Sequence, residues 1–276
     1  MLYDLKSILE LGDRGGFAVP AFNVCNMEAV VGVMQAAQES GAPVIFQIYS
    51  RLFDNPDAGF VAPMIHEAIK QLKTPAAFHL DHGAGIPQVQ RALRLGATGI
   101  MIDASTLPLD ENIAATRAAV ELCDACGVPV EGELGHVGGV RDEKMSDFTD
   151  VDEAVRFAEE TGVSAMAVMV GTAHGRYKQA PVLNIQRIRD IRERTGLPIV
   201  LHGGSGVPDE QLHMAIDAGV RKVNFATDLY YAFLESVHAM GDQILPVDLY
   251  MRKPTDAVKE FALGRIRQLG AEKYKP

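Results

Sequence analysis

The 276-residue chain contains no tryptophan and only three cysteines, Cys25, Cys123 and Cys126. So few cysteines, odd in number, exclude a disulfide framework and suit a reducing compartment. Cys123 and Cys126 have CxxC spacing, but no second pair or Cys/His knuckle accompanies them, so the segment reads as helical core packing. No apolar run of about 18 residues is present, and Met1-Leu2-Tyr3-Asp4-Leu5-Lys6 lacks the basic start and apolar core of a signal peptide. A cytoplasmic protein without membrane association is the expectation. Cations are the minority, 26 Lys and Arg against 36 Asp and Glu, for a formal net charge of −10. That balance disfavours a nucleic-acid or anionic-membrane binder and leaves room for a local anion pocket. No Ser/Gly linker, charge block or internal repeat divides the chain, so a single domain over 1–276 is expected.

What is present is a core-forming composition, 47% apolar with 22% charged residues. Short β-branched or apolar runs alternate with stretches of helical period. Strands are expected near 16–24, 42–48, 75–80, 99–103, 128–134, 163–170, 197–201 and 220–226, with helices between them, clearest at 27–40, 111–126, 152–161 and 209–218. Gly41, Gly127, Gly162 and Gly219 supply the helix stops. The strand-to-strand steps average about 29 residues, the size of one βα unit. An α/β fold of the (β/α)8 TIM-barrel type follows, with an irregular helical tail from about 245. The rival, a doubly wound open sheet, would want a GxGxxG turn after its first strand, and none follows 16–24.

In such a barrel the working residues gather at the carboxyl ends of the strands. Polar groups recur there: Asn23, Gln47, Asp81-His82, Asp103, Glu131 and Glu133, His174, His202, then Asn224 with Thr227 and Asp228. His82, His174 and His202 come from three different strands, and converging neutral imidazoles suit Zn²⁺ with an open position for substrate. His79 lies two residues before Asp81, where it would support the site from behind. His66, His136, His213 and His238 read as surface or loop residues. Glycine-rich turns after strands six and seven, Gly171-Thr172-Ala173-His174-Gly175 and His202-Gly203-Gly204-Ser205-Gly206, free backbone N–H groups for a phosphate, with Lys178 and Ser205 to complete the cradle. A Lewis-acid metal, a phosphate cradle and carboxylates together suit carbonyl polarisation and aldol chemistry.

His79-Leu80-Asp81-His82, Met101-Ile102-Asp103, Val130-Glu131-Gly132-Glu133-Leu134-Gly135, the two glycine turns and Lys222-Val223-Asn224 follow in order over about residues 1–240. In these motifs the chain resembles the class II, zinc-dependent ketose-bisphosphate aldolases. The resemblance implies that His82, His174 and His202 hold one catalytic Zn²⁺, with Glu133 as an alternate ligand. It implies that Asp81 is the acid/base at the cleaved bond and that Asn224 touches the ketone or the enediolate of dihydroxyacetone phosphate. It places Gly175, Lys178, Gly203, Ser205 and Thr227 at that phosphate, Asn23 at the substrate, and a monovalent cation near the phosphate. It also implies a small phosphorylated sugar as substrate and a homodimer or homotetramer as the assembly.

At three positions the chain departs from the family pattern. Tyr49 stands where a Ser helps bind the far phosphate, and Tyr230 stands where an Arg does the same. Arg141 occupies the position of a loop Glu implicated in deprotonating dihydroxyacetone phosphate, leaving Asp142 or Glu143 as replacement bases. The leading expectation is therefore an aldolase acting on a ketose 1-phosphate or 1,6-bisphosphate. An aldolase or retro-aldol epimerase with an unusual or non-phosphorylated acceptor, and a non-catalytic phosphosugar binder, remain as alternatives.

Overall fold

The computed structural model describes residues 1–140, 148–241 and 246–275. Its elements run α1 (Leu5–Gly15), β1 (Val19–Asn23), α2 (Met27–Ser40), β2 (Val44–Tyr49), α3 (Asp57–Gln71), β3 (Ala76–Gly83), α4 (Ile86–Arg94) and β4 (Gly99–Ile102). They continue α5 (Leu109–Asp124), β5 (Val130–Leu134), α6 (Val151–Thr161), β6 (Ala165–Val168), α7 (Ile185–Thr195), β7 (Ile199–Leu201), α8 (Asp209–Ala218) and β8 (Val220–Phe225). After the barrel come α9 (Thr227–Met240), α10 (Val247–Tyr250) and α11 (Arg252–Gln268). The eight strands pair in parallel in chain order, and β8 pairs with β1, so the sheet is closed. The (β/α)8 expectation is met and the open-sheet rival is excluded.

Local chemistry explains the element ends. The Asp4, Asn26, Asp150 and Asn184 side chains accept the free N–H groups that open α1, α2, α6 and α7. Gly41 and Gly162 close α2 and α6 in the left-handed conformation, as expected. Gly127 does not close α5, which ends at Asp124 with Ala125 as its cap. Cys123 is buried in the core as read, whereas Cys126 is exposed. The tail is more regular than expected. Helix α11 runs 17 residues, buries Val258, Ala262, Leu263 and Ile266, and packs along α2 and α9. Among the described residues no helix is long and apolar enough to cross a membrane.

The barrel interior is unusually polar, and this positions the site. Gln47, His79, Glu131 and Lys222 are all fully buried. Gln47 sits beside His79 across β2 and β3, and His79 lies beside Gly99 across β3 and β4. A Cβ at Gly99 would stand 2.7 Å from His79 Nδ1, so only glycine leaves room for that ring. Lys222 Nζ donates to Glu131 Oε2 at 2.8 Å, and His79 Nε2 lies 3.3 Å from the same oxygen. A buried charge is tolerated only when so paired.

Candidate active site

Strand β3 presents two consecutive side chains to the rim, which an ideal strand cannot do, since successive residues face opposite sides. The register between β3 and β4 slips between Leu80 and Gly83, an extra residue on β3, and His82 adopts φ 50°, rare for a residue with a Cβ. The bulge turns Asp81 and His82 toward the same cavity.

That cavity, about 50 Å³, is lined by Asn23, Tyr49, Asp81, His82, His174, Gly175, Gly203, Ser205, Asn224, Ala226 and Thr227. A larger groove of about 560 Å³ lies between α2 and α10–α11, away from the strand ends. The small cavity is where the titratable groups converge.

Each of the three histidines uses one ring nitrogen as a strut and leaves the other free. His82 Nδ1 pairs with Asp103 Oδ2 at 2.7 Å, His174 Nδ1 with the Val137 carbonyl at 2.9 Å, and His202 Nε2 with Glu131 Oε1 at 2.9 Å. One nitrogen from each ring comes within 4.8 Å of the others. Glu133 Oε2 and His202 Nδ1, both buried, face each other at 3.2 Å with neither in an aligned hydrogen bond. Buried polar atoms are rarely left unpaired, so these orphans, with three convergent imidazoles fixed from behind, fit a Zn²⁺ site. His82, Asp103 and Glu133 form a second overlapping group of ligand type.

The electrostatics agree. Burial alone would lower the His202 imidazole, but its contacts with Glu131 and Glu133 outweigh that and hold it at about 10. Burial and the neighbouring charges of His202 and His82 push His174 down to about 4. The carboxylates thus call for positive charge in the cluster, while the imidazoles cannot all carry it. Burial would raise the Asp81 carboxyl, but His82, His202, Lys222 and the Asn23 amide hold it below its ordinary value. Asp81 accepts from Asn23 Nδ2 at 2.7 Å and Asn224 Nδ2 at 3.2 Å, one on each oxygen, and Gln47 Nε2 orients Asn23 through Oδ1 at 2.7 Å.

On the other side of the cavity the two glycine turns meet. Gly203 has φ 64°, and a Cβ there would stand 2.4 Å from the Ala173 carbonyl oxygen. The Tyr177 hydroxyl locks the turns together, accepting from Ala173 N at 2.7 Å and donating to the Gly203 carbonyl at 3.0 Å. Helix α9 begins at Thr227 on the cavity wall, and Ser205 Oγ accepts its Asp228 N–H at 3.3 Å. The positive end of a helix beside free turn N–H groups suits an anion. Lys178, expected here, is exposed and does not line the cavity.

Sequence reasoning missed several supports. Asp103, in the sequence one polar strand end among several, holds His82. Ser105 Oγ lies 2.7 Å from Asp103 Oδ1, 3.0 Å from Glu133 Oε1 and 3.1 Å from His136 Nδ1, so His136 belongs to the rim network rather than to a bland loop. His66 is helical and bonds the Leu95 carbonyl at 2.8 Å. His79, expected to support the site from behind, stands 3.3 Å from Glu131, which in turn holds His202. Arg141, Asp142 and Glu143 lie outside the described residues.

Fold and site define a barrel with a metal-capable histidine cluster beside two joined glycine turns and the start of a helix. The family profile "Fructose-bisphosphate aldolase class-II" matches residues 3–273, and the chain belongs to that family, a family of lyases. Among solved structures, the YdjI aldolase from Escherichia coli K12 is 33% identical with TM-score 0.91, covering 100% of both chains. A putative fructose-1,6-bisphosphate aldolase from Coccidioides immitis is 25% identical with TM-score 0.90, covering 97% of this chain and 96% of its own. The fructose-bisphosphate aldolase of Campylobacter jejuni, 22% identical with TM-score 0.85 over 99% and 97%, shares the fold.

Proposed function

We propose that the chain is one catalytic domain that reversibly cleaves a ketose 1-phosphate or 1,6-bisphosphate to dihydroxyacetone phosphate and an aldehyde, with Zn²⁺ as its metal. The observation carrying this reading is that three backed imidazoles, an amide-held carboxylate and two locked glycine turns share one small cavity. His82, His174 and His202 would hold the ion, with Glu133 as an alternate ligand. When bound, Zn²⁺ supplies Lewis-acid polarisation of the ketone and stabilises the negative charge that develops on cleavage.

The chain's own residues supply the rest. Asp81 is ionised at neutral pH, and each of its oxygens keeps a lone pair beyond the one its amide uses. In cleavage a free oxygen accepts the proton of the hydroxyl at the breaking bond, and in condensation returns it. Asn23 and Asn224 fix the carboxylate and stand where they reach substrate oxygens. Gly175, Gly203, Ser205 and Thr227 hold the phosphate through turn N–H groups, hydroxyls and the start of α9, while Lys178 adds charge from the exposed side.

The test is release of dihydroxyacetone phosphate from fructose and tagatose 1,6-bisphosphates and a set of ketose 1-phosphates, with chelator and with Zn²⁺ restored. Chelator-sensitive cleavage is expected. Cleavage undiminished in metal-free protein or in His82→Ala overturns the metal assignment, and no cleavage of any ketose overturns the aldolase reading.

A further inference from the structure

The turn after β6 is held from two sides. Residues 169–184 form neither helix nor strand, apart from the bridge of His174 with Gly139. On the inner side His174 N donates to the Gly138 carbonyl at 2.8 Å, the His174 carbonyl accepts from Val140 N at 2.9 Å, and Tyr177 ties the turn to Gly203. On the outer side, between Gly175 and Tyr177, the Arg176 side chain does not line the cavity and reaches α9 instead. Its guanidinium lies over the Tyr231 ring, 3.6 Å from the ring centre, and its Nη2 stands 3.0 Å from Glu235 Oε1. Its Nε lies 3.9 Å from Asp228 Oδ1. Asp228, Tyr231 and Glu235 follow one another at intervals of three and four residues, so they share one face of α9.

These contacts are exposed, with Arg176 at 53% and Glu235 at 62%, so each shifts an equilibrium only a few-fold. That is too little to hold a barrel together and enough to place one turn. The metal-ligand side of the turn does not depend on it, because His174 is braced by Val137 and bonded to Gly138 and Val140 on the opposite side. Arg176 also balances a charge. Asp228 follows Thr227 of the cavity wall, and a bare carboxylate there would repel an anion. Arg176 faces it from the turn, and Arg265 Nη2 faces it from α11 at 3.3 Å.

Given the phosphate assignment proposed above, on which this rests, we infer that Arg176 is a positioning residue that clasps Gly175 and the turn after β6 to α9. Affinity for a phosphorylated ligand then depends on Tyr231 and Glu235, two exposed side chains of α9 that do not line the cavity. The clasp and simple electrostatics differ in sign at Glu235. Glu235→Gln removes a negative charge from the surroundings of a phosphate, which by charge alone tightens binding. With Glu235 acting through Arg176, the same change loosens the turn and weakens binding.

Calorimetric titration of zinc-loaded enzyme with dihydroxyacetone phosphate decides between them. Arg176→Met, which keeps the stem without the charge, should raise Kd about three- to tenfold. Arg176→Lys should raise it less, since it keeps the charge without the planar face. Glu235→Gln should raise Kd about twofold, and Arg176→Met/Glu235→Gln should bind no more weakly than Arg176→Met alone, as two residues making one contact are not additive. Zinc content, and kcat for ketose cleavage, should stay within about twofold of wild type in all of them, a split that a general loss of folding does not produce. An unchanged Kd in Arg176→Met, singles that add in the double variant, or zinc lost in parallel with affinity overturns the clasp. Weaker binding in Arg176→Met with tighter binding in Glu235→Gln also overturns it, and means that Arg176 meets the phosphate directly. Wild type that does not bind dihydroxyacetone phosphate at millimolar concentration overturns the phosphate assignment and the clasp with it. Binding without cleavage of any ketose overturns the aldolase reading alone, because the clasp is read from Kd and zinc content.

Discussion

At the scale of single residues, the site separates groups that hold from groups that react. Among the described residues the Asp81 carboxylate accepts hydrogen bonds from the amides of Asn23 and Asn224, while the three imidazoles are braced by Asp103, Val137 and Glu131. Asp81→Asn should therefore lower kcat by about 10² to 10⁴ fold with zinc content, read by atomic absorption, unchanged. A parallel loss of zinc would place Asp81 among the ligands. The anion side grades by burial in the same way. Ser205 is buried on the cavity wall and Lys178 is exposed outside it. Lys178→Ala should raise KM for phosphorylated substrates only about two- to fivefold, the scale of an exposed charge pair. Ser205→Ala should raise it more, and the reverse order would place the phosphate nearer Lys178.

At the scale of elements, catalytic geometry depends on pairings made inside the barrel. Lys222 on β8 neutralises Glu131 on β5, which in turn holds His202 on β7. Burial would raise the Glu131 carboxyl, yet Lys222, His202 and His79 hold it well below the ordinary 4.5. The unfolded chain takes up that proton more readily, so the contribution is present above about pH 4.5 and is lost as pH falls further. Lys222→Met, which strands the carboxylate, should cost about 3–5 kcal/mol in denaturant unfolding at neutral pH, with part recovered in Glu131→Gln/Lys222→Met. No recovery would show that Lys222 matters through packing. Gly203→Ala puts a Cβ against the Ala173 carbonyl in a left-handed turn and should lower Tm and weaken phosphate binding together. This scale also marks where the sequence was legible. Strand-end polar residues and glycine turns carry local signals, so the barrel order, the convergence of His82, His174 and His202 and the meeting of the two glycine turns are legible in them. The β3 bulge, the Ser105–His136 contact, the Tyr177 lock and the direction of Arg176 depend on register and rotamer across elements far apart in sequence. No local pattern encodes those.

For the whole molecule, these pairings decide how metal and fold depend on each other. The braces of the histidines sit on the barrel frame: half-buried Asp103 follows β4, buried Glu131 lies within β5 and buried Val137 just beyond it. None needs the ion in order to be placed. The barrel should therefore stay folded without metal, unlike small domains whose only core is their zinc. Stabilisation by the ion is then a linkage term, about 4 kcal/mol at a free concentration roughly 1,000 times its Kd. For a chain of this length each kcal/mol moves Tm by about 2–4 °C. Exhaustive chelation should thus lower Tm by on the order of 10 °C, leave far-UV circular dichroism at 25 °C unchanged, and stop release of dihydroxyacetone phosphate, with all three measurements returning on Zn²⁺ addition. A chelated protein unfolded at 25 °C would mean that the Glu131–Lys222 pair cannot hold the barrel against the repulsion of its own carboxylates. A Tm insensitive to chelator and Zn²⁺ would mean that the three imidazoles converge for a purpose other than a metal.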